Sequence, residues 1–273
     1  FESYKANVGK VVNRGYEVTL NCAIFKSKHP GGFFMSIGTS AFRNINKVKE
    51  ISNTIKFLND KILSEAGVNP SFLYQEGESM NAIYAVKSLG IDPGNGKELF
   101  VKQDGSLTYV WDAKDQVVCG NTDPKISGNM NVNLTYKNIT LNAIFGYTYG
   151  GQNYNYTLIG KVENINPANN ADRRVLYDRW RYPGDMVSFK GIANTTTTKA
   201  TSRFVMDDNT FELRNVSLSY VFPATWTQKY LRINRLFLSA NTEDLFRISS
   251  IKQERGLAYP FSRKFSFSLT ATF

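Results

Sequence analysis

Residues 261–273, FSRKFSFSLTATF, alternate without a break: Phe265, Phe267, Leu269, Ala271 and Phe273 fall on one side, Ser266, Ser268, Thr270 and Thr272 on the other. A period of two marks a strand, because successive Cβ atoms point to opposite sides of a sheet. One side is greasy and the other small and polar. The pattern recurs around a two-residue turn at Lys137 and Asn138. There Met130, Val132, Leu134 and Tyr136 oppose Asn129, Asn131, Asn133 and Thr135. On the return, Ile139, Leu141, Ala143, Phe145, Tyr147 and Tyr149 oppose Thr140, Asn142, Gly146 and Thr148, with Ile144 the exception. A second hairpin sets Tyr16, Val18, Leu20, Cys22 and Ile24 against Glu17, Thr19, Asn21 and Ala23. After a break, Phe33, Met35 and Ile37 oppose Ser36, Gly38 and Ser40. Val216, Leu218, Tyr220 and Phe222 face away from Asn215, Ser217 and Ser219 until Pro223, which cannot donate to a ladder, stops the strand. A weaker alternation in LRINRLFLSAN (231–241) brings the expected strands to seven.

Alternation alone fits a β-sandwich as well as a barrel. Three features favour an antiparallel transmembrane barrel. The alternating stretches are about 10 to 13 residues long, closer to a tilted membrane strand than to the usual five or six. Their polar sides carry Ser, Thr, Asn and Gly, with few Lys or Glu, as suits a confined wet lumen. Connections also alternate in size, short at 27–32, 137–138 and 223–231 and long at 44–128, 150–210 and 244–260. That is the asymmetry of tight periplasmic turns and large extracellular loops. In this register Leu134 and Phe145 face lipid, Asn133 and Asn142 face the lumen, and Tyr147 and Tyr149 join an aromatic girdle. The competing reading is a stand-alone extracellular β-sandwich binding or adhesion module. In the long loop after Phe42, Ile45, Val48, Ile51, Ile55, Leu58 and Ile62 recur at three and four, which predicts a short amphipathic helix packed on other loops.

Composition removes several chemistries. Cys22 and Cys119 are the only cysteines and His29 the only histidine, so zinc sites and Cys/His catalysis have almost no material. The net charge of +10 is spread in twos and threes, with no basic stripe for a nucleic acid, while an anionic lipopolysaccharide layer suits it. Acidic groups at Asp207, Asp208, Glu212, Glu243 and Asp244 lack a companion nucleophile or metal set and read as solvated loop charge, so no enzyme is expected. No cofactor is called for. Asp92–Gly96 and Asp104–Gly105 read as turns flanking a small hairpin of ELFVK with LTYVW. Trp180 reads as a brace for loop packing. Gln152, Asn153, Tyr154, Asn155 and Tyr156 gather aromatic faces and amides at a strand end and are candidate substrate contacts.

Six stretches in order, NVGKVVNRGYEVTLN (7–21), GESMNAIYAVKSLGIDPGNGKELFVKQDG (77–105), IFGYTYGG (144–151), DRWRYPGD (178–185), SRFVMDDNTFELRNVSLSYVFP (202–223) and the C-terminal strand, resemble the SusC/RagA family of TonB-dependent outer-membrane transporters. The resemblance spans nearly the whole chain and implies that 1–273 is the C-terminal part of a 22-stranded barrel, about seven strands of it, with long extracellular loops. It implies a Gram-negative, Bacteroidota-like outer membrane and import of glycans or oligopeptides. It also implies partners: the rest of the barrel and its plug, TonB acting through that plug, a SusD-like surface lipoprotein, and outer-membrane lipid and lipopolysaccharide. No plug, TonB box or signal peptide is recognised in the sequence, and SANTEDLF (239–246) departs from the family's usual run near the penultimate strand. Phe265, Phe267 and Phe273 correspond to the aromatic assembly signal of such barrels.

Overall fold

The computed structural model describes residues 9–65, 67–166, 168, 172–251 and 263–273. Among them the strands, in chain order, are β1 (Gly9–Lys26), β2 (Phe34–Ile51), β3 (Ala82–Ile91), β4 (Glu98–Val101), β5 (Leu107–Thr108), β6 (Gln116–Asn121), β7 (Ile126–Tyr136), β8 (Ile139–Tyr154), β9 (Val205–Val221), β10 (Arg235–Ser249) and β11 (Phe265–Thr272). The helices are α1 (Asn53–Ser64), α2 (Tyr156–Leu158) and α3 (Ala224–Trp226). Parts of three expectations, at 7–8, in the 244–260 connection from 252 onward, and at Phe261 and Ser262, lie outside the described residues.

The chain divides into two compact units. The first comprises Gly15–Arg43, Pro124–Gly150 and Asp208–Phe273. Its strands belong to a seven-stranded sheet in the order β1-β2-β7-β8-β9-β10-β11, so chain neighbours within the sheet are also spatial neighbours. The sheet is antiparallel and does not close: β1 and β11 are its two edges. This is the expected open portion of a barrel, and a single sheet replaces the two face-packed sheets that a sandwich requires.

The two-faced reading holds across the registers. On one face Met35 lies opposite Leu134, Leu134 opposite Leu141, and Met130 opposite Phe145. Farther along, Leu218 is opposite Ala240 and Ala240 opposite Phe267, while Tyr220, Leu238 and Leu269 form the next row. On the other face Ser36, Asn133 and Asn142 align, as do Ser219, Ser239 and Ser268. Tyr147 crosses Gly128, its cross-strand partner, and donates to the Ser40 carbonyl at 3.0 Å. A Cβ on Gly128 would come within 1.8 Å of that same oxygen, so only glycine fits there.

Strand lengths differ from the expected 10 to 13. Five of the seven run 15 to 18 residues. At a rise of about 3.3 Å per residue, 18 residues reach about 60 Å, well beyond an apolar band of about 25 Å, so in these five strands apolar alternation marked only part of the length, whereas β7 has 11 residues and β11 only 8. The first two long connections shrink to 52–125 and 155–204, and β10 runs on to Ser249, past the expected start of the third at 244. The expected helix is corrected too. Ile45, Val48 and Ile51 lie on β2, with the Val48 N–H bonded to the Glu78 carbonyl at 2.9 Å, and the helix starts only at Asn53, capped by the Ser52 hydroxyl.

The second unit, Phe1–Arg14, Asn44–Asp123 and Gly151–Asp207, carries a four-stranded sheet in the order β5-β4-β3-β6. The expected small hairpin is its β4/β5 pair, Phe100 opposite Thr108. Ile62 and Leu63 of α1 pack on Leu73, Ala82 and Tyr84. A larger core joins Ile83, Tyr154, Ile159, Val162, Val175, Phe189 and Phe204. Trp180 braces the 92–96 turn: its indole N–H donates to the Pro93 carbonyl at 3.0 Å, and its ring lies 2.5 Å from where a Cβ on Gly96 (φ +70) would sit.

Candidate functional site

The polar face of the sheet is continuous and hydrogen-bonded. Asn133 Nδ2 donates to Asn142 Oδ1 at 2.8 Å, and the Thr135 and Thr140 hydroxyls meet at 3.4 Å. Arg214 donates from Nη1 to Asn129 Oδ1 at 2.6 Å while Nε holds Glu212 at 2.8 Å. Phe145, by contrast, stacks on Phe211 at 5.5 Å and lies near Phe246. The apolar face stays uncovered: Phe267 is 77% and Phe273 85% exposed. At the 222–234 connection Tyr220, Phe222, Trp226 and Tyr230 form a chain of ring contacts 4.8 to 6.0 Å apart.

The 152–156 group is spread over several tasks. β8 continues to Tyr154, whose buried ring packs between Tyr156 and Phe204 and whose hydroxyl donates to the Val68 carbonyl. Asn155 is buried and caps α2 through Leu158 N–H at 2.9 Å. Gln152 accepts from the Asn121 N–H and donates to Asp207. Asn153 also has a partner. Tyr156 is about half exposed.

A group that sequence reading missed lies deeper in the second unit. Arg203 makes a bidentate pair with Glu98, Nε to Oε1 and Nη2 to Oε2, both 2.8 Å, and Nη2 also reaches Glu163 Oε1 at 2.7 Å. Thr198 donates to that same Glu163 oxygen at 3.0 Å. Glu163 is 1% exposed, and its Oε2 has no hydrogen-bond partner. Burial works against the Arg203 charge, yet the bonds and charges of Glu98 and Glu163 hold its pKa above the ordinary guanidinium value. Burial lowers the Lys190 ammonium, with Glu163 opposing and Arg179 and Arg203 adding to the effect. Lys190 Nζ donates to Asn164 and to the Thr196 carbonyl.

Glu98, Glu163, Lys190 and Thr198 line a cavity of about 480 Å³, walled by Phe100, Tyr109 and Trp111. The Trp111 indole N–H is tied to the Ala200 carbonyl at 2.9 Å, and Lys199 Nζ sits 4.6 Å from its ring centre. Tyr109 donates to Asp92 at 2.5 Å, the first of the contacts that hold the Asp92 carboxyl below the usual range. No sequence signal could collect these residues, which come from segments tens of positions apart. Among the described residues, no three His, Cys, Asp or Glu side chains gather as a metal site, and no helix is long and apolar enough to cross a membrane.

One sheet, antiparallel in chain order, apolar on one face and hydroxyl- and amide-lined on the other, defines a portion of a transmembrane β-barrel. No family model matches the chain. Its curated relatives are TonB-dependent receptors of Formosa agariphila: P3, 26% identical over 85% of this chain, and P39, 23% identical over 92%. The chain spans about a quarter of the length of these relatives, 24% and 28%. Among solved structures it is similar to the RagAB peptide importer in the "open-open" state, with TM-score 0.75, 18% identity, 98% of this chain and 29% of that one. A RagAB peptide transporter structure gives 0.71, 18%, 90% and 27%. Receptor homologues and a RagAB-like fold together are consistent with the C-terminal barrel part of the SusC/RagA family.

Proposed function

We propose that residues 1–273 are the C-terminal barrel part of a SusC-like TonB-dependent transporter, importing glycans or oligopeptides across a Gram-negative outer membrane. The observation that carries this reading is the two-faced open sheet. Its edges, β1 and β11, carry backbone N–H and C=O groups that cost several kcal/mol each if left unpaired in hydrocarbon. The rest of the barrel, upstream or on a separate chain, supplies the missing pairing and encloses the plug on which TonB pulls. The long connections at 52–125 and 155–204 are read as extracellular, with a SusD-like lipoprotein over them. The net charge of +10 suits contact with lipopolysaccharide. Phe265, Phe267 and Phe273 are the assembly signal, and Tyr156 is the member of the 152–156 group most open to substrate.

Expression with its native upstream region and lipoprotein partner tests the reading. The protein is expected in the outer-membrane fraction, with heat-modifiable migration in detergent, co-purifying with the lipoprotein and taking up a labelled oligosaccharide or oligopeptide. Recovery as a soluble protein without a heat-dependent shift would contradict it.

A further inference from the structure

The three short turns of the seven-stranded sheet meet in one rim. The Lys137 N–H donates to the Gly31 carbonyl at 2.9 Å and the Val221 N–H to the Asn138 carbonyl at 2.9 Å, which holds the turns side by side. Lys26, Lys28, Lys137, Lys229, Arg232 and Arg235 lie in or beside these turns, all exposed, and 26–33, 136–139 and 222–235 contain no Asp or Glu. Among the described residues none of the six forms an ion pair. The 52–125 connection, by contrast, mixes both signs, Lys56 and Lys61 with Asp60 and Glu65. A set of unbalanced cations repels itself unless an anionic surface faces it.

Two of the cations sit where the apolar face ends. Tyr136 closes the apolar row of β7, and Lys137 Nζ lies 5.3 Å from its ring centre. On the 222–234 turn the apolar row of β9 is prolonged past the strand by the ring contacts from Tyr220 through Phe222 and Trp226 to Tyr230, and Lys229 Nζ lies 5.3 Å from the Tyr230 ring centre. Aromatic side chains at a strand end mark the membrane–water boundary, where a lysine stem follows apolar surface and its ammonium reaches the headgroups. The backbone agrees. Lys137 and Arg232 have φ of 50° and 55°, the left-handed region that glycine or asparagine takes with least strain, yet both turns place a long cation there. Charge and depth then select the occupant. A zwitterionic lipid brings an ammonium with each phosphate and cancels little of the rim's charge, whereas a lipid with one net negative charge neutralises it. A soluble acidic partner would need no aromatic row beneath the cations.

We propose that the short-turn rim is a docking surface for anionic phospholipids of the periplasmic leaflet, their phosphates paired with Lys137, Lys229 and Arg232 and their glycerol backbones beside Trp226 and Tyr230. The inference deepens the import reading and rests on it for placing the short turns at that leaflet.

Native mass spectrometry of the protein with its native upstream region, released from a neutral detergent, tests it. The probes are phosphatidylglycerol, phosphatidylethanolamine, lipid A, glycerol phosphate and a muropeptide. Phosphatidylglycerol is expected to be retained over phosphatidylethanolamine. The combined exchange Lys137→Gln, Lys229→Gln and Arg232→Gln should weaken its retention tenfold or more, since a cation near an anionic surface contributes about fivefold. The combined exchange Lys102→Gln, Lys114→Gln and Lys161→Gln, which removes as much charge from the long connections, should leave retention unchanged. Tyr136→Ala with Tyr230→Ala should weaken the lipid and not glycerol phosphate. Equal retention of the two phospholipids, full retention in the rim variant, an equal loss in the long-connection variant, or tighter retention of lipid A, glycerol phosphate or the muropeptide overturns the proposal. If the triple rim variant loses its heat-modifiable migration, its three single exchanges, each expected to weaken retention about fivefold, decide. Uptake by whole cells reports on the import reading separately: absence of uptake with the phospholipid preference intact removes that reading alone, and uptake without the preference removes this one.

Discussion

The two units of this chain place their polar and apolar groups in opposite ways. In the seven-stranded sheet many large apolar side chains are exposed, as Phe265 and Leu269 are at 64% and 66%, and order comes from backbone ladders and cross-strand rows. In the second unit an apolar core forms around Tyr154 and Phe204, and charges go inside: Glu163, Arg179 and Lys190 are all buried. The sheet needs an apolar solvent to make sense of its surface, whereas the other unit supplies its own low-dielectric interior. Hydrophobicity is thus read against different surroundings in one polypeptide.

Perturbing each side of this contrast gives graded effects. The largest is expected from replacing Phe265, Phe267 and Phe273 together with Ser, which should abolish outer-membrane insertion; unchanged membrane levels on immunoblots of fractionated cells would remove the assembly role. Next, Arg203→Met strands Glu98 and Glu163 without their cation, at a cost of about 3 to 5 kcal/mol. This should appear as early melting of the second unit by hydrogen exchange, while the sheet's ladder amides stay protected. Leu134→Lys places a charge on the apolar face and should cost about 2 to 4 kcal/mol if near the midplane, whereas Asn133→Lys on the hydrated face should cost little. Equal loss of stability in detergent or liposome unfolding would contradict the two-faced assignment. The smallest effect concerns Asp92, whose pKa is held low first by Tyr109 and then by the Gly94 N–H. A lowered carboxyl pKa adds stability above the ordinary aspartate range and loses it as the pH falls through the folded-state value. Tyr109→Phe should flatten that acid-side slope, measured as Tm against pH.

The two-faced sheet was legible because period two needs no distant information. Rows such as Leu134 with Leu141 and Ser219 with Ser268 follow from parity once the strands are antiparallel neighbours. Strand ends were less so. From Ile45 to Ile51 the residues are spaced like a helix, yet backbone bonds such as Val48 to Glu78 hold them extended, and only Ser52 supplies a cap. The aromatic and amide group at 152–156 read as a surface cluster, since nothing in the sequence shows that Tyr154 enters a core and Asn155 caps a turn. Glu98, Glu163 and Arg203 escaped notice for the converse reason. Isolated charges in polar segments look solvated until folding brings them together, and acidic pairs close in sequence, such as Asp207 and Asp208, attract attention instead.

The two-residue turn at Lys137 and Asn138 sets a timetable for folding. β7 and β8 are joined by so little chain that closing their hairpin, which aligns eleven residue pairs, carries a small loop entropy and proceeds in about 1 to 10 μs in water. β2 must instead find β7 across the whole 52–125 connection. The hairpin therefore acts as a nucleus onto which earlier strands dock later. In pulse-labelled refolding, amides of 126–149 should gain protection before those of 34–42, and the reverse order would show that growth begins elsewhere.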